Sequence, residues 1–273
     1  MRRRRFALLS IAIAVILSSL LTPPTATAAA GEVVKRRLVT AIEKLPGAAE
    51  TRSGYDREKF RHWVDADGDC RDTRDEVLAA ESLVSVSGCD IQTGKWRSSY
   101  DGATTRDSTA FDIDHMVALA EAWDSGAKRW NADTRERFAN DLRDPRTLVA
   151  VSASANRSKS DQDPADWLPV LGKCRYLRQW VAVKTRWHLT VNPAERRALR
   201  SQAADCGNGV IEVRRATVRI ASSSGHHGNS GGLDPRYDYC YQAQAVGYGP
   251  YHQGQDPEYD WYTDGDSDGI ACE

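Results

Sequence analysis

A chain of 273 residues that is 41% hydrophobic and 27% charged has the make-up of a soluble folded protein, which excludes a wholly disordered or fibrous one. Its 37 basic and 38 acidic residues nearly cancel, and on its face that balance argues against a polyanionic partner. Six cysteines are too few for a disulfide-dense scaffold of this length, but their even number suits pairing.

Residues 1–30 open with Arg2 to Arg5, run apolar from Phe6 to Leu21 and close on small residues ending at Ala30. This is the pattern of a signal peptide, cleaved after Ala28 or Ala30, and its apolar run is shorter than the ~20 residues that span a bilayer. The Arg3-Arg4-x-Phe6 string also fits a twin-arginine route beside the Sec route. Either way the expected mature protein is secreted, with no stable membrane insertion, in a compartment where disulfides persist. The charge is unevenly placed. Residues 31–232 hold 32 basic and 29 acidic groups, whereas 233–273 hold one basic and nine acidic. Between them the Gly/Ser-rich stretch 221–232 reads as a flexible linker, with His226 and His227 as solvated parts of it.

Residues 31–220 read as one α+β domain. Val33, Val34, Leu38, Ala41, Ile42 and Leu45 recur at helical spacing, and Pro46-Gly47 ends that helix. The carboxylates Asp65, Asp67, Asp69, Asp72, Asp75 and Glu76 read as a disulfide-tied turn around Cys70, because Gly68 comes too early for an EF-hand loop. Thr73 and Glu76 have the spacing of a capping box before the helical run Val77 to Leu83. Short strands with a Gly turn are expected over Cys89 to Trp96. Phe111 to His115 is strand-like, helices follow over Val117–Trp123 and Ala132–Leu142, and Thr147–Ser152 is a strand. A further helix carries Leu177, Trp180, Val181, Lys184 and His188, and Asn192-Pro193 starts another. His62, His188, Trp123, Trp130, Trp167, Trp180 and Trp187 read as framework. Nearest-neighbour pairing would join Cys70 to Cys89, Cys174 to Cys206 and Cys240 to Cys272, one of 15 connectivities. There is no Cys-x-x-Cys to suggest a zinc knuckle.

The most informative stretch is Phe111-Asp112-Ile113-Asp114-His115, followed after two helices by a strand and by Asn156-Arg157-Ser158-Lys159 entering a helix. This order resembles the HNH, or ββα-metal, nucleases, in particular the secreted family related to the C-terminal domain of GmrSD restriction endonucleases. The likeness runs from about Tyr55 to Leu189, through Tyr55-Asp56-Arg57, Asp72-Thr73-Arg74 and the Asp163 to Pro169 stretch. Phosphodiester hydrolysis needs a base for water, a cation at the phosphate, and positive groups on neighbouring phosphates. His115 suits the base. The resemblance implies one metal ion, Mg²⁺ or Mn²⁺, on the hard oxygens of Asp114 and Asn156, with Arg157, Lys159 and Arg74 as phosphate contacts. Many HNH proteins carry an Asn before the second strand that orients the base. Thr147 stands at the corresponding position: either its hydroxyl substitutes as a hydrogen-bond group, or the base is less well held and the activity lower.

The tail ends in Asp264-x-Asp266-x-Asp268-Gly269-x-x-Cys272-Glu273, the first half of an EF-hand loop. With the upstream Cys240, residues 233–273 resemble the excalibur calcium-binding domain. That resemblance implies Ca²⁺ held by Asp264, Asp266 and Asp268, with the Ile270 carbonyl and Glu273 completing the shell. The expected function is therefore a secreted, metal-dependent HNH endonuclease acting on DNA, with RNA as a second substrate, and without strong sequence preference. The alternative is a noncatalytic calcium-binding protein whose tail contacts the cell envelope and whose nuclease fold is vestigial.

Overall fold

The computed structural model describes residues 31–221, 236–237, 239–240, 243, 248–264 and 269–272. The expected signal peptide, nearly all of the linker with its two histidines, and Asp266, Asp268 and Glu273 lie outside the described residues.

The fold is mixed α+β, with two-stranded antiparallel sheets dispersed among helices. The first is a correction to the expected N-terminal helix. Val33–Arg37 forms β1, pairing with Val210–Arg214 (β6) in the register Val34 to Val213, and only Leu38–Lys44 is helical (α1). Val34 and Val213 are buried on one side of this ribbon. A partner about 170 residues away makes the alternating reading win over the helical one, because local spacing cannot see it.

Residues 57–59 make a 3-10 turn, and Thr73–Glu81 forms α2. Its N-cap is Asp72, whose carboxylate accepts from Asp75 N, so the cap falls one residue before the expected Thr73 box. The Thr73 hydroxyl instead lies between Val64 O at 3.0 Å and Asn140 Oδ1 at 2.9 Å, two acceptors for its one hydrogen. Thr93–Arg97 (β2) pairs with Thr104–Asp107 (β3), not within Cys89–Trp96.

The next pair positions the site. Phe111–His115 (β4) lies antiparallel to Leu148–Ser152 (β5), His115 opposite Leu148 and Phe111 opposite Ser152. Leu119–Asp124 (α3) and Ala132–Ala139 (α4) fill the connection between them. Ser152 caps Ala153–Lys159 (α5), its Oγ accepting from Ala155 N, so the chain turns from β5 directly into this helix. Beneath them Lys173–Arg186 (α6) buries Tyr176, Leu177, Trp180, Val181 and Val183, and with Trp187 it meets α1 and α4 in the main core. Pro193–Ala204 (α7) packs beside it, capped by Asn192 as expected, with the Asn192 side chain accepting from Ala194 N and Glu195 N. Each fully buried large side chain contributes roughly 1.5–3 kcal/mol.

Lys184, wholly buried in α6, has its ammonium within 2.7–2.9 Å of Glu121, Glu195, Ser125 and the Thr190 carbonyl, more acceptors than its three hydrogens can serve. A buried cation this fully partnered fixes α6, α3 and α7 to one another. Disulfides join Cys70 to Cys89, Cys174 to Cys206 and Cys240 to Cys272. In the tail, Tyr251–His252 (β7) pairs with Ile270–Ala271 (β8) beside the last of these bridges.

Candidate active site

β4, α5 and the segment 52–57 enclose a cleft of about 460 Å³ lined by His115, Asn156, Arg157, Arg52, Tyr55 and Arg57 among others. His115 is only 5% exposed. Its Nε2 lies 2.9 Å from the Ala139 carbonyl, which makes Nε2 the protonated nitrogen and leaves Nδ1 with no protein partner among the described residues. Two aromatic rings pack near it, Trp63 tilted at 5.5 Å and Phe138 stacked at 6.4 Å. Trp63 holds this place with a left-handed backbone, φ 59°, a conformation that costs a bulky residue energy. Burial lowers the imidazole pKa to about 3, helped by the positive charges of Arg57 and Lys159 and opposed by the Ala139 hydrogen bond. The ring therefore stays a neutral acceptor at physiological pH.

Ala139 ends α4, and the next residue secures it. Asn140 Nδ2 donates to the carbonyls of Glu136 and Arg61, both at 2.8 Å, while its Oδ1 accepts from Val64 N and lies beside the Thr73 hydroxyl. One amide thus ties together the turn that orients His115 and the segment that brings up Trp63. Thr147, at the position where the base-orienting Asn stands in many HNH proteins, takes the second of its two readings. Its hydroxyl donates to Asp141 at 3.1 Å, and Asp141 also accepts from Arg186 and Trp187, a buried network that closes the loop without touching the imidazole.

Asp114 and Lys159 meet, which gives Lys159 a role different from the expected one. Lys159 is wholly buried and donates to Asp114 Oδ1 at 2.8 Å and to the His115 carbonyl at 3.0 Å. Tyr100 donates to the other Asp114 oxygen at 2.6 Å. Burial raises the Asp114 pKa, against the pull of Lys159 and Tyr100. Lys159 is therefore an internal counter-ion and not a phosphate contact, because its ammonium has no route to solvent. Asp114 itself lines the cleft, and each of its oxygens accepts one internal hydrogen bond. The carboxylate beside Asn156 is Asp112, two residues earlier, which accepts from Asn156 Nδ2 at 3.1 Å. Asn156 Oδ1 has no protein partner among the described residues.

Arg74 is also reassigned: it donates to the carbonyls of Ser108 and Phe111 at 3.2–3.3 Å and braces the start of β4 outside the cleft. Arg157, exposed on α5, does line the cleft. Arg52 and Arg57 line it too and were not singled out from the sequence, although Arg57 closes the Tyr55-Asp56-Arg57 motif. Arg52 is saturated by acids, its Nε and Nη2 on Asp124 at 2.7 and 2.6 Å and its Nη1 on Asp161 at 2.5 Å.

His62 and His188 are framework as expected, on the Phe60 carbonyl and Arg215 respectively. Trp123, Trp130, Trp180 and Trp187 are buried in the core, with Trp167 packed at its edge. The exposed turn at 65–70 is held by its own carboxylates, Asp65 accepting from Gly68 N and Cys70 N. In the tail, Asp264 Oδ2 accepts from Tyr259 and from Gly269 N at 2.8 and 2.9 Å, and Ile270 pairs with His252.

Residues 74–202 match the model of the C-terminal domain of GmrSD restriction endonucleases, and residues 237–273 match the Excalibur calcium-binding domain. An uncharacterized secreted protein of Arthroderma benhamiae is 40% identical over 189 residues, covering 68% of this chain and 89% of the fungal one. No solved structure matches. Among the described residues, no helix is long and apolar enough to cross a membrane.

Proposed function

We propose, from the premise that this chain belongs to the family built on the C-terminal domain of GmrSD restriction endonucleases and ends in an Excalibur calcium-binding domain, that it is a secreted metal-dependent HNH endonuclease. Its substrate is DNA, with RNA as a second polynucleotide, cut without strong sequence preference. The observation that carries the reading is the placement of His115: an imidazole locked by Ala139 through one nitrogen, its other nitrogen free, at the edge of a polar cleft beside Asn156 and Arg157. Nδ1 takes a proton from the attacking water, and Ala139 keeps the tautomer that permits this. A phosphate entering the cleft brings negative charge toward the ring and raises its basicity from the low value set by burial. Arg157 holds that phosphate through a charge-assisted fork.

The donors present suit a hard, hydrated cation. Asn156 Oδ1 and the Asp114 carboxylate, both on the wall of the cleft, offer oxygen ligands, few in number, as Mg²⁺ prefers, and Asp112 steadies Asn156 by accepting from its Nδ2. What such an ion supplies when bound is neutralisation of charge on the phosphate and the leaving oxygen. Asp114, with Lys159 and Tyr100, fixes the strand from which His115 projects. Residues 1–30 act as the signal peptide in this reading, 31–220 as the nuclease domain, 221–232 as the linker, and 233–273 as a module that binds Ca²⁺ through Asp264, Asp266, Asp268, Ile270 and Glu273.

The test is plasmid nicking by the mature protein with Mg²⁺ or Mn²⁺, run beside His115→Ala. Nicking lost in the variant is the expected outcome. Plasmid left intact with every divalent cation tried would return the protein to the noncatalytic, envelope-associated alternative.

A further inference from the structure

Three guanidinium groups line the cleft, and their surroundings differ. Arg52 has its nitrogens on Asp124 and Asp161, so its single charge is outweighed by two carboxylates. Arg157 and Arg57 are exposed, and neither forms an ion pair among the described residues. The cations in the cleft that remain available to an anion are therefore these two, carried on different elements.

Arg57 is also held in place. It opens the 3-10 turn 57–59, whose N-cap Asp56 accepts from Glu58 N at 2.9 Å, and its own carbonyl accepts from Phe60 N at 3.0 Å. Phe60 is wholly buried against Trp123 and Phe138, so the turn is anchored to the core. The side chain interacts with the half-buried Tyr55, which packs edge-on to Trp123. A cation on an anchored turn, without a carboxylate to satisfy it, loses little entropy and breaks no ion pair when an anion arrives.

We propose that Arg57 is a substrate-binding residue that grips a phosphate of the polynucleotide, so that the strand is held by two arginines, Arg57 and Arg157, on separate walls of the cleft. This rests on the reading of the cleft as the nucleic-acid site. It adds a requirement of its own: substrate must present more than one phosphate, which makes a polynucleotide strand a far better ligand than an isolated phosphodiester.

Binding can be measured without turnover in the full mature chain carrying His115→Ala, by fluorescence anisotropy of a labelled oligonucleotide across a salt series. Adding Arg57→Gln is expected to weaken binding about tenfold and to make the log–log salt slope shallower by about one. Arg57→Lys, which keeps the charge and loses the fork, should keep the slope at intermediate affinity. Arg200→Gln, on α7 outside the cleft where Arg200 pairs with Glu43, should leave the slope unchanged. Affinity within about twofold and an unaltered slope in Arg57→Gln would overturn the proposal, as would the absence of salt-dependent binding altogether. Failure of the enzymatic reading shows separately, as wild-type protein that never nicks plasmid.

Discussion

Replacing Lys159 by Met isolates the difference between an internal counter-ion and a phosphate contact. Unit charges 2.8 Å apart attract by about 6 kcal/mol at an effective dielectric of about 20. Desolvating the two ions offsets much of that, so the intact pair contributes little net stability. Removing one partner is different, because Asp114 is then stranded at 4% exposure, a loss of about 3–5 kcal/mol. Protonation relieves the stranded carboxylate, so the loss should be greater at about pH 8 than at about pH 5. The double variant Asp114→Asn/Lys159→Met removes both charges and should recover most of the deficit, with Tyr100 still able to donate to the amide oxygen. Urea unfolding followed by tryptophan fluorescence gives all three values, with the disulfides left intact. A single variant destabilised by less than about 1 kcal/mol, yet binding nucleic acid with a weaker salt dependence, would refute the reasoning and return Lys159 to the substrate surface.

Burial lifts the carboxyl of Glu81, which accepts from Ala150 N, to about 7 from 4.5. The folded state then keeps a proton that the unfolded chain releases, so stability falls as pH rises from about 4.5 to 7, by up to about 3 kcal/mol. Glu81→Gln should remove that slope, and urea curves with parallel pH dependence in both proteins would contradict it. Asn140→Ala should lower kcat at least about tenfold with KM little changed, since the amide acts on His115 only through Ala139 and the Trp63 segment; an unchanged kcat in a folded variant would show that the turn holds itself. In the tail, excess EGTA should expose residues 233–273 to protease before the nuclease domain unfolds, and identical digestion with and without chelator would count against a calcium-stabilised module.

The helices of the main domain were legible because their signals are local. Asn192 followed by Pro193, the apolar stripe through Leu177, Trp180 and Val181, and the β-branched run at 148–152 each specify their element without help from elsewhere. β1 was not legible, because its strand character depends on Val210–Arg214 arriving from the far end of the domain. The same limit hid Asn140. As the C-cap of α4 it looks like an ordinary helix end, and only the fold brings Arg61, Val64 and Thr73 within reach of its side chain. Arg52 and Arg57 were hidden differently. Nothing in the stretch 52–57 distinguishes a cation saturated by two acids from one left to face a ligand, and Asp124 and Asp161 are distant in sequence.

The misplacement of Lys159 on the substrate surface has a geometric cause that the sequence does contain. Alternate residues of a strand face the same side, so Asp112 and Asp114 form a pair of carboxylates on one face of β4. On a helix, residues three apart share a face, whereas residues two apart lie about 200° apart, so Asn156 and Lys159 can both face β4 while Arg157 cannot join Lys159. The structure matches these two faces in order, Asn156 on Asp112 and Lys159 on Asp114. Assigning both Arg157 and Lys159 to substrate therefore asked one short helix to present two nearly opposite sides to the same phosphate backbone. Once α5 lies along β4, its inner face must carry one cation to neutralise the deeper carboxylate, and Arg157 is left for the cleft. On the proposed reading, that division would let a domain with so small a positive excess hold a polyanion: the cations that matter are those left without an acid among the described residues, and Arg57 and Arg157 are the two that line this cleft.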